Sequence, residues 1–582
     1  MHLSNLRLWN FRRFGSSMPF SLDTPHLDLR LTRGLNALIG ENDSGKSAII
    51  DAIRLVLKTH SYDWSRISLD DFHIGQHRLR IELILSDIKN EEGKYFTEFL
   101  SWKSVGGDVE QSLRLILDVQ RNPANDQILP YEVRAGVDTQ GKQLSPEARE
   151  YLKVTYLKPL RDAEEELVAR KNSRLSQILV GHDAFKNKGT THVLVDRLTN
   201  FNKSIEGYFE AKDHEGKGIA DQLGKELKDK IDTYIGALYE PGRKTKFAVT
   251  ERGQIKSLLE KLELSICGET RPGLGTLNRL FMASELLHLN KGNWTGLRLG
   301  LVEELEAHLH PQAQMQAIET LQKQKDVQLI LTTHSPNVGS KIKLENLIIC
   351  DQGKVYPMGA MHTQLAPDDY VFLQRFLDIT KANLFFARGV ILLEGWSEEL
   401  LMNELAKLIG YDLVQKGVAI INVTNLAFMR YANIFKRNAA PHFSKRVAIV
   451  ADVDVSPTEE DGSAPGDKAT LTQTQMDKAT KYDGQCVKSF ISPQWTLEYC
   501  LYKSDAFGEK FTEITRLVHS GSDWTNFEVT LTDKLTRGKL AKTEIAARLA
   551  QAISKGEIDK LKVERDSHVA YLVEAIKYAC GQ

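Results

Sequence analysis

Leu35-Asn36-Ala37-Leu38-Ile39-Gly40-Glu41-Asn42-Asp43-Ser44-Gly45-Lys46-Ser47 is the stretch whose reading decides the fold. An apolar run long enough for a buried strand ends in a Gly-rich turn, and the turn opens a helix with Ile49, Ile50, Ile53 and Leu57 on one face. From Gly40 to Ser47 the residues match G-x-x-x-x-G-K-[ST], in the strand-turn-helix setting that this pattern requires. Gly40 and Gly45, flanking Asn42 in the turn, let backbone N–H groups wrap phosphate oxygens. Lys46 neutralises β/γ charge, and the Ser47 hydroxyl completes a Mg²⁺ shell at a helix N-terminus.

Strand-like alternation surrounds this motif. Leu3, Leu6, Leu8 and Phe11 precede it, and residues 79–85 and 113–119 predict an antiparallel element beside the nucleotide site. From about 160 to 264 Lys/Glu-rich helical patterns such as 219–238 predict a helical insertion, the kind of projection that mediates self-association. Strand runs resume at 297–302, 327–332 and 347–350 and read as the second half of the first domain. Past a mixed linker near 368–383, strands at 389–393, 418–423, 446–451 and 487–491 alternate with helices and predict a separate α/β domain. The expected boundaries are 1–160 and 267–375 for the two parts of the ATPase domain, 161–266 for the insertion and 376–582 for the second domain. The sequence has no internal repeat, and its low-complexity content is confined to 456–468.

Composition narrows the classes. A chain of 582 residues implies several cores. Its 42% hydrophobic and 26% charged residues suit a globular protein rather than a disordered or fibrous one. The 76 basic and 77 acidic side chains nearly cancel, so any nucleic-acid contact comes from local patches. No apolar run reaches the ~18 residues of a membrane span, and residues 1–10 lack a signal-peptide core, so the expected location is cytoplasmic, with no membrane partner. Cys267, Cys350, Cys486, Cys500 and Cys580 are too scattered for a C-x-x-C clip and read as reduced structural thiols.

A second motif completes the nucleotide site. In Leu299-Gly300-Leu301-Val302-Glu303-Glu304 an apolar strand ends in two carboxylates, one suited to hold Mg²⁺ and one to polarise the attacking water, which makes Glu304 a catalytic candidate. Leu305-Glu306-Ala307-His308-Leu309-His310-Pro311 follows, and another strand ends in Thr332-Thr333-His334-Ser335-Pro336, placing His334 to contact the γ-phosphate. Taken alone, His334 would be an ordinary loop residue. His73 or Gln76 is a candidate γ-phosphate sensor, or part of a solvated loop. Together these motifs resemble the ABC/SMC/RecF branch of P-loop ATPases. That resemblance implies ATP as cofactor and a signature segment supplied by a second subunit or lobe. The candidate signature, Arg271-Pro272-Gly273-Leu274-Gly275-Thr276-Leu277-Asn278-Arg279-Leu280, departs from the L-S-G-G-Q form.

The second domain carries its own constellation. Val390-Ile391-Leu392-Leu393-Glu394-Gly395-Trp396-Ser397-Glu398 puts one carboxylate at a strand end and another after a glycine turn. Val447-Ala448-Ile449-Val450-Ala451-Asp452-Val453-Asp454 ends a second strand with two aspartates on one face. Like charges this concentrated call for a cation, and oxygen donors without Cys or paired His favour Mg²⁺ or Mn²⁺ over zinc. Any single acid at a strand end is more often a solvated loop residue.

The E-G-x-x-E and D-x-D pair resembles the Toprim fold, and its union with an N-terminal ATPase resembles the OLD (overcoming lysogenization defect) family nucleases. Residues 156–163, 422–431 and 495–499 extend the match, which is weakest between about 165 and 265. The expected fold class is therefore α/β: an ABC-type P-loop ATPase domain with a helical dimerisation insertion, followed by a C-terminal Toprim domain. The resemblance implies a two-metal nuclease site completed by Glu498 and Lys542, with Glu394, Glu398, Asp452, Asp454 and Glu498 as ligands. It counts Lys542, Asp452 and Glu394 as catalytic. It further implies DNA as substrate, a homodimer or higher homo-oligomer, and anti-phage defence with a helicase-like or retron partner. Trp396 stands where the family often has a small residue, and Leu305 where a proline is frequent. The rival class is an SMC/RecF-like DNA-binding ATPase without nuclease activity. A topoisomerase would need a strand-gating region with a nucleophilic tyrosine, and a primase usually carries zinc; length and cysteine spacing argue against both.

Overall fold

The structure, a computed structural model, describes residues 1–59, 66–105, 108–158, 173–186, 188–213, 215–238, 244–247, 255–269, 273–289, 296–424, 427–457 and 468–582. Three sheets organise them. The first is antiparallel, in the order Leu27–Arg30, His2–Trp9, Arg78–Ser86, Asp108–Gln120, Val133–Ala135, Lys142–Gln143, with Leu100–Val105 also paired to Asp108–Gln120. The second runs Lys354–Pro357, Leu347–Asp351, Leu35–Ile39, Gln328–Thr333, Leu299–Val302, Thr155–Leu157. It is parallel except where Lys354–Pro357 turns back on Leu347–Asp351. The third is wholly parallel, in the order Val418–Asn422, Gly389–Leu393, Arg446–Ala451, Val487–Ile491.

Period-2 alternation explains how the layers stack, because successive strand side chains point to opposite faces. In the second sheet Leu38, Ile330, Leu301 and Ile348 face the antiparallel sheet and the helix Lys46–Leu57. Ala37, Leu331, Val302 and Ile349 face the other way, into a core that continues without a break to Val390, Leu392, Val447 and Ile449 of the third sheet. Ile391, Leu393, Ala448 and Val450 then face the C-terminal helices. One apolar core thus joins the second and third sheets. At about 25 cal/mol per Å² of apolar surface removed from water, such a continuous core resists separation of the two layers.

Between the strands Thr155–Leu157 and Leu299–Val302 the described residues are helical: Arg174–Val180, Val193–Tyr208, Leu223–Leu238, Ile255–Leu259 and Leu274–Leu289. Val195, Ile255 and Leu259 form a small core of their own. Arg174 bonds Glu285 from both Nε and Nη2, at 2.6 and 2.8 Å, pinning this region to the longer helix that leads back to the sheet. Ten residues of the polar segment read at 456–468, numbers 458–467, lie outside the described residues, as does most of 156–163, from Pro159 onward. No described helix is long and apolar enough to cross a membrane.

Candidate nucleotide site and carboxylate centre

Both sites sit where parallel strands end, the position at which doubly wound sheets present their loops. At the second sheet, Ile39 leads into Gly40, Val302 into Glu303 and Thr333 into His334. Gly40 has φ 149°, and a Cβ there would meet the Cys350 carbonyl at 2.2 Å, so the turn closes against the neighbouring strand only with glycine. Lys46 Nζ donates to the carbonyls of Gly40 (2.9 Å) and Glu41 (2.6 Å) and to Ser44 Oγ (3.3 Å). Burial lowers its pKa, while Cys350, Glu306 and Glu304 pull the other way. Asn42, Gly45, Lys46, Ser47, Glu304 and His334 line one cleft of about 810 Å³, together with Arg12, Arg13, Thr332 and Thr333.

The paired glutamates divide their surroundings. Glu303 is buried and accepts from Tyr156 Oη at 2.9 Å and from the Ser47 hydroxyl. Burial is the largest cause of its raised pKa, with Tyr156 opposing. Glu304 is turned by a left-handed φ of 45°, uncommon for glutamate, and its N–H donates to Thr332 Oγ1 at 3.0 Å. His334 is more constrained than its sequence suggests: its N–H donates to Glu306 Oε1 at 2.7 Å, and its Nδ1 lies 3.1 Å from the same oxygen. Sequence reasoning quoted Glu306 without giving it this task. It also missed Arg12, which reaches Asp51 at 2.7 Å and Asp71 at 2.8 Å from the wall of the cleft.

Two expectations change here. His73 Nδ1 is 2.7 Å from the Arg12 carbonyl, and Gln76 bonds Asn10 and the Ser16 carbonyl, so both brace a loop and neither lines the cleft. In the candidate signature, Arg271 and Pro272 lie outside the described residues, and Gly273 precedes the helix Leu274–Leu289. Buried Asn278 donates to the Ala307 carbonyl at 2.9 Å, and a Cβ on Gly275 would meet the His308 carbonyl at 2.6 Å. This end of the helix is fitted to the chain's own loop after the paired glutamates. Leu305, where a proline is frequent, is fully buried in the shared core.

At the third sheet, neighbouring strands Gly389–Leu393 and Arg446–Ala451 end in Glu394 and Asp452. The chain steps to opposite sides of Gly389–Leu393, so these two acids flank the switch point of the sheet. Gly395 lies 3.0 Å, measured from where its Cβ would be, from Glu398 Oε2; any larger residue would crowd that carboxylate. Buried Glu498, at the start of Leu497–Lys503, accepts from Lys542 Nζ at 2.9 Å. Asp454 has φ 62°, is exposed, and meets Lys478 Nζ at 2.6 Å; the same ammonium donates to the Asp452 carbonyl at 2.6 Å. Trp396 opens the helix Trp396–Ile409 with 60% of its surface exposed.

Electrostatics show which of these groups feel one another. Asp452 is held well above the usual carboxylate range, first by burial and then by Glu498, Glu398 and Glu394. Glu398 is pushed up to about 7 by burial and Glu498, and Glu394 is raised by burial and Asp454. Lys542 is raised despite its burial because Glu498, Asp452 and Glu398 surround it. The predicted acids and the lysine therefore converge on one place. Among the described residues, however, no three His, Cys, Asp or Glu side chains close to the spacing of a metal shell. Lys542 and Lys478 each hold one of the carboxylates, Glu498 and Asp454.

As a donor set this is oxygen-only, with Glu498 buried, Glu394, Glu398 and Asp452 half-buried and Asp454 exposed, which fits a hard divalent cation reached from solvent. A family model for the AAA ATPase domain matches residues 1–235 and 137–338, more than half of the chain. A second, for the overcoming lysogenization defect protein-like TOPRIM domain, matches 385–454. The chain belongs to the AAA ATPase domain family and carries an OLD-like TOPRIM domain. The retron Ec83 probable ATPase of Escherichia coli is 23% identical over 418 residues, 61% of this chain and 72% of the relative. Among solved structures, an SMC head bound to the C-terminal winged-helix domain of ScpA covers 61% of this chain and 96% of its own, at 15% identity and TM-score 0.34. The C-terminal region of the Burkholderia pseudomallei OLD protein covers 34% of this chain and 100% of its own, at 19% identity and TM-score 0.24. The TOPRIM match begins just before Glu394 and ends on Asp454, so it contains four of the five predicted metal ligands; Glu498 lies beyond it.

Proposed function

We propose that the chain is an ATP-regulated, divalent-metal-dependent DNA endonuclease. The observation that carries this reading is the placing of Glu394 and Asp452 at adjacent strand ends, near helix residues Glu398 and Glu498, the last bonded to Lys542; the first three acids are raised by burial and then by neighbouring carboxylates. Glu394, Glu398, Asp452, Asp454 and Glu498 would hold two Mg²⁺ or Mn²⁺ ions. When bound, such ions polarise a phosphodiester and favour attack by water. Lys542, held beside Glu498, offsets the charge that builds on the scissile phosphate. Burial of Glu498 strengthens its pairing with Lys542.

In the AAA domain, Lys46 would meet the β/γ-phosphates, Ser47 and Glu303 would hold the nucleotide's Mg²⁺, Glu304 would orient water and His334, steadied by Glu306, would reach the γ-phosphate. Hydrolysis of a phosphodiester needs no external energy, so ATP acts by changing how DNA or subunits are held. The retron relative and the OLD-like domain support a role in anti-phage defence with a retron or helicase-like partner. The helical segment 161–266 would serve homodimer or higher assembly, and the cytoplasm is the proposed setting.

One observation favours a second reading, a DNA-binding ATPase whose TOPRIM domain only recruits partners: the carboxylates do not close to a shell, and lysines already pair with two of them. Supercoiled plasmid incubated with the purified chain and Mg²⁺ or Mn²⁺, beside Asp452→Ala, separates the two. Nicking by the wild type and none by the variant is expected. Intact plasmid under every metal and nucleotide condition sinks the nuclease reading.

A further inference from the structure

The loop that cradles phosphate is tied to the TOPRIM domain by a side chain that no motif predicts. Glu41, the first residue after Gly40, presents its carboxylate to Arg388 Nε, at 3.2 Å from Oε1 and 3.1 Å from Oε2. Its main-chain carbonyl is gripped by Lys46 Nζ at 2.6 Å. One residue therefore touches both the phosphate-binding ammonium and the other domain. Arg388 is not a free surface group at its backbone: its N–H donates to the Gly417 carbonyl at 2.8 Å, and the next residue begins the strand Gly389–Leu393 that ends in Glu394. That strand is fixed at its start, where a Cβ on Gly389 would strike the Ala579 carbonyl at 2.1 Å.

A second base lies beside the first. Gly389 pairs in register with Arg446, so Lys445 precedes its strand as Arg388 precedes the neighbouring one. Buried Lys445 donates to the Phe385 carbonyl at 3.2 Å and is attracted by Asp351 and Glu41. Asp351 follows Cys350, whose carbonyl seats Gly40. Arg388 thus meets Glu41 directly, while Lys445, bonded to the Phe385 carbonyl, lies within through-space reach of Asp351 and Glu41, across layers that share one core.

We propose that Arg388 is a positioning residue of the nucleotide site: through Glu41 it sets the phosphate loop, and through its strand it reports the state of that loop to the TOPRIM carboxylates. The group that nucleotide would release is the Glu41 carbonyl. Lys46 holds it now, and a bound triphosphate competes for the same ammonium, so the loop that Glu41 anchors must relax when nucleotide arrives. Coupling of this kind is reciprocal, so loss of Arg388 alters nucleotide affinity as well as the reach of the signal. Arg388 and Glu41 are 65% and 44% exposed, and exposed pairs are weak, so the expected change is small, about two- to five-fold.

This inference rests on the reading of the AAA domain as the nucleotide site and on nothing about DNA cleavage. The experiment measures a fluorescent ATP analogue's dissociation constant and nucleotide-dependent amide exchange across 388–394 and 445–452, in wild type, Arg388→Ala, Arg388→Lys and the swap Glu41→Arg with Arg388→Glu. Expected are a two- to five-fold affinity change in Arg388→Ala, loss of the exchange response in both segments, and recovery in Arg388→Lys and in the swap. An unchanged exchange response in Arg388→Ala overturns the proposal, as does a wild type whose two segments ignore nucleotide. Plasmid nicking is scored separately; its absence would count against the nuclease reading and leave this one standing.

Discussion

The two sites meet their charges differently. In the phosphate loop the groups already have partners: Lys46 holds two carbonyls and a hydroxyl, Glu303 holds Tyr156 and Ser47, and His334 is clamped by Glu306. In the TOPRIM domain Lys542 and Lys478 hold Glu498 and Asp454, while Asp452, Glu398 and Glu394 have their pKa values raised by burial and then by neighbouring carboxylates. A loop that satisfies itself folds without its ligand and exchanges one set of bonds for another when phosphate arrives. A crowd of buried acids is instead stored unfavourable energy, which a cation would relieve. Substitution should therefore have opposite consequences for stability at the two sites.

The largest effect belongs to Asp452→Asn. It should reduce plasmid nicking by about 100- to 1000-fold or more, the scale seen when a group that stabilises transition-state charge is removed. In EDTA the same variant should unfold at a higher temperature than the wild type, because a buried carboxylate repelled by Glu498, Glu398 and Glu394 has been made neutral. Added Mn²⁺ should then stabilise the wild type, by about 2.7 kcal/mol at one hundred times the dissociation constant, and do little for the variant. A variant less stable than wild type in EDTA would mean that the carboxylates are not in conflict, and the contrast between the sites would collapse.

Lys46→Ala tests the other side. Charged hydrogen bonds are worth about 1.5–3 kcal/mol each, so a fluorescent ATP analogue should bind about 10- to 100-fold more weakly. The melting temperature without nucleotide should fall only modestly, since of the two carbonyls that lose their donor Gly40's is buried and Glu41's belongs to an exposed residue. A large drop in stability would show that this loop, too, depends on its charge pattern for folding.

Local pattern made most of this legible. The strands Leu35–Ile39, Gly389–Leu393, Arg446–Ala451 and Val487–Ile491 were readable from sequence with the bounds they have in the structure; the first three are largely buried apolar runs closed by a turn or an acid, and the last alternates around the exposed Lys488. Both acid pairs were readable for the same reason, as they sit directly on strand ends. Partners brought in from far along the chain were not. Glu306 on His334, Lys478 on Asp454 and Arg388 on Glu41 are 28, 24 and 347 positions apart, and no periodicity links such residues. Lys542 and Glu498 came from family resemblance, because a lysine opening a helix has no local mark of function. His73 and Gln76 stayed open between a phosphate sensor and a loop residue for the same reason: polar loop residues look alike until their hydrogen bonds are known.

A further expected effect lies between the two sites, at Lys445. Burial pushes this lysine down to about 8, against the pull of Asp351, Cys486 and Glu41; the Phe385 carbonyl accepts its proton and the Phe435 ring lies 5.8 Å away. An unfolded lysine titrates near 10.4. Between about pH 8 and that value the unfolded chain binds a proton that the folded chain lacks, so this group's contribution makes stability rise with pH. Below pH 8 both states are protonated and burial costs the fold a constant amount. Lys445→Met fills the same space without the charge. It should raise the urea midpoint at pH 7, and its advantage over wild type should shrink steadily from pH 8 to 10. An advantage that stays constant across that range would mean that Lys445 keeps its proton in the fold, paired with Asp351 or Glu41 as a satisfied ion pair. The boundary between the domains would then resemble the self-satisfied phosphate loop and not the conflicted carboxylates.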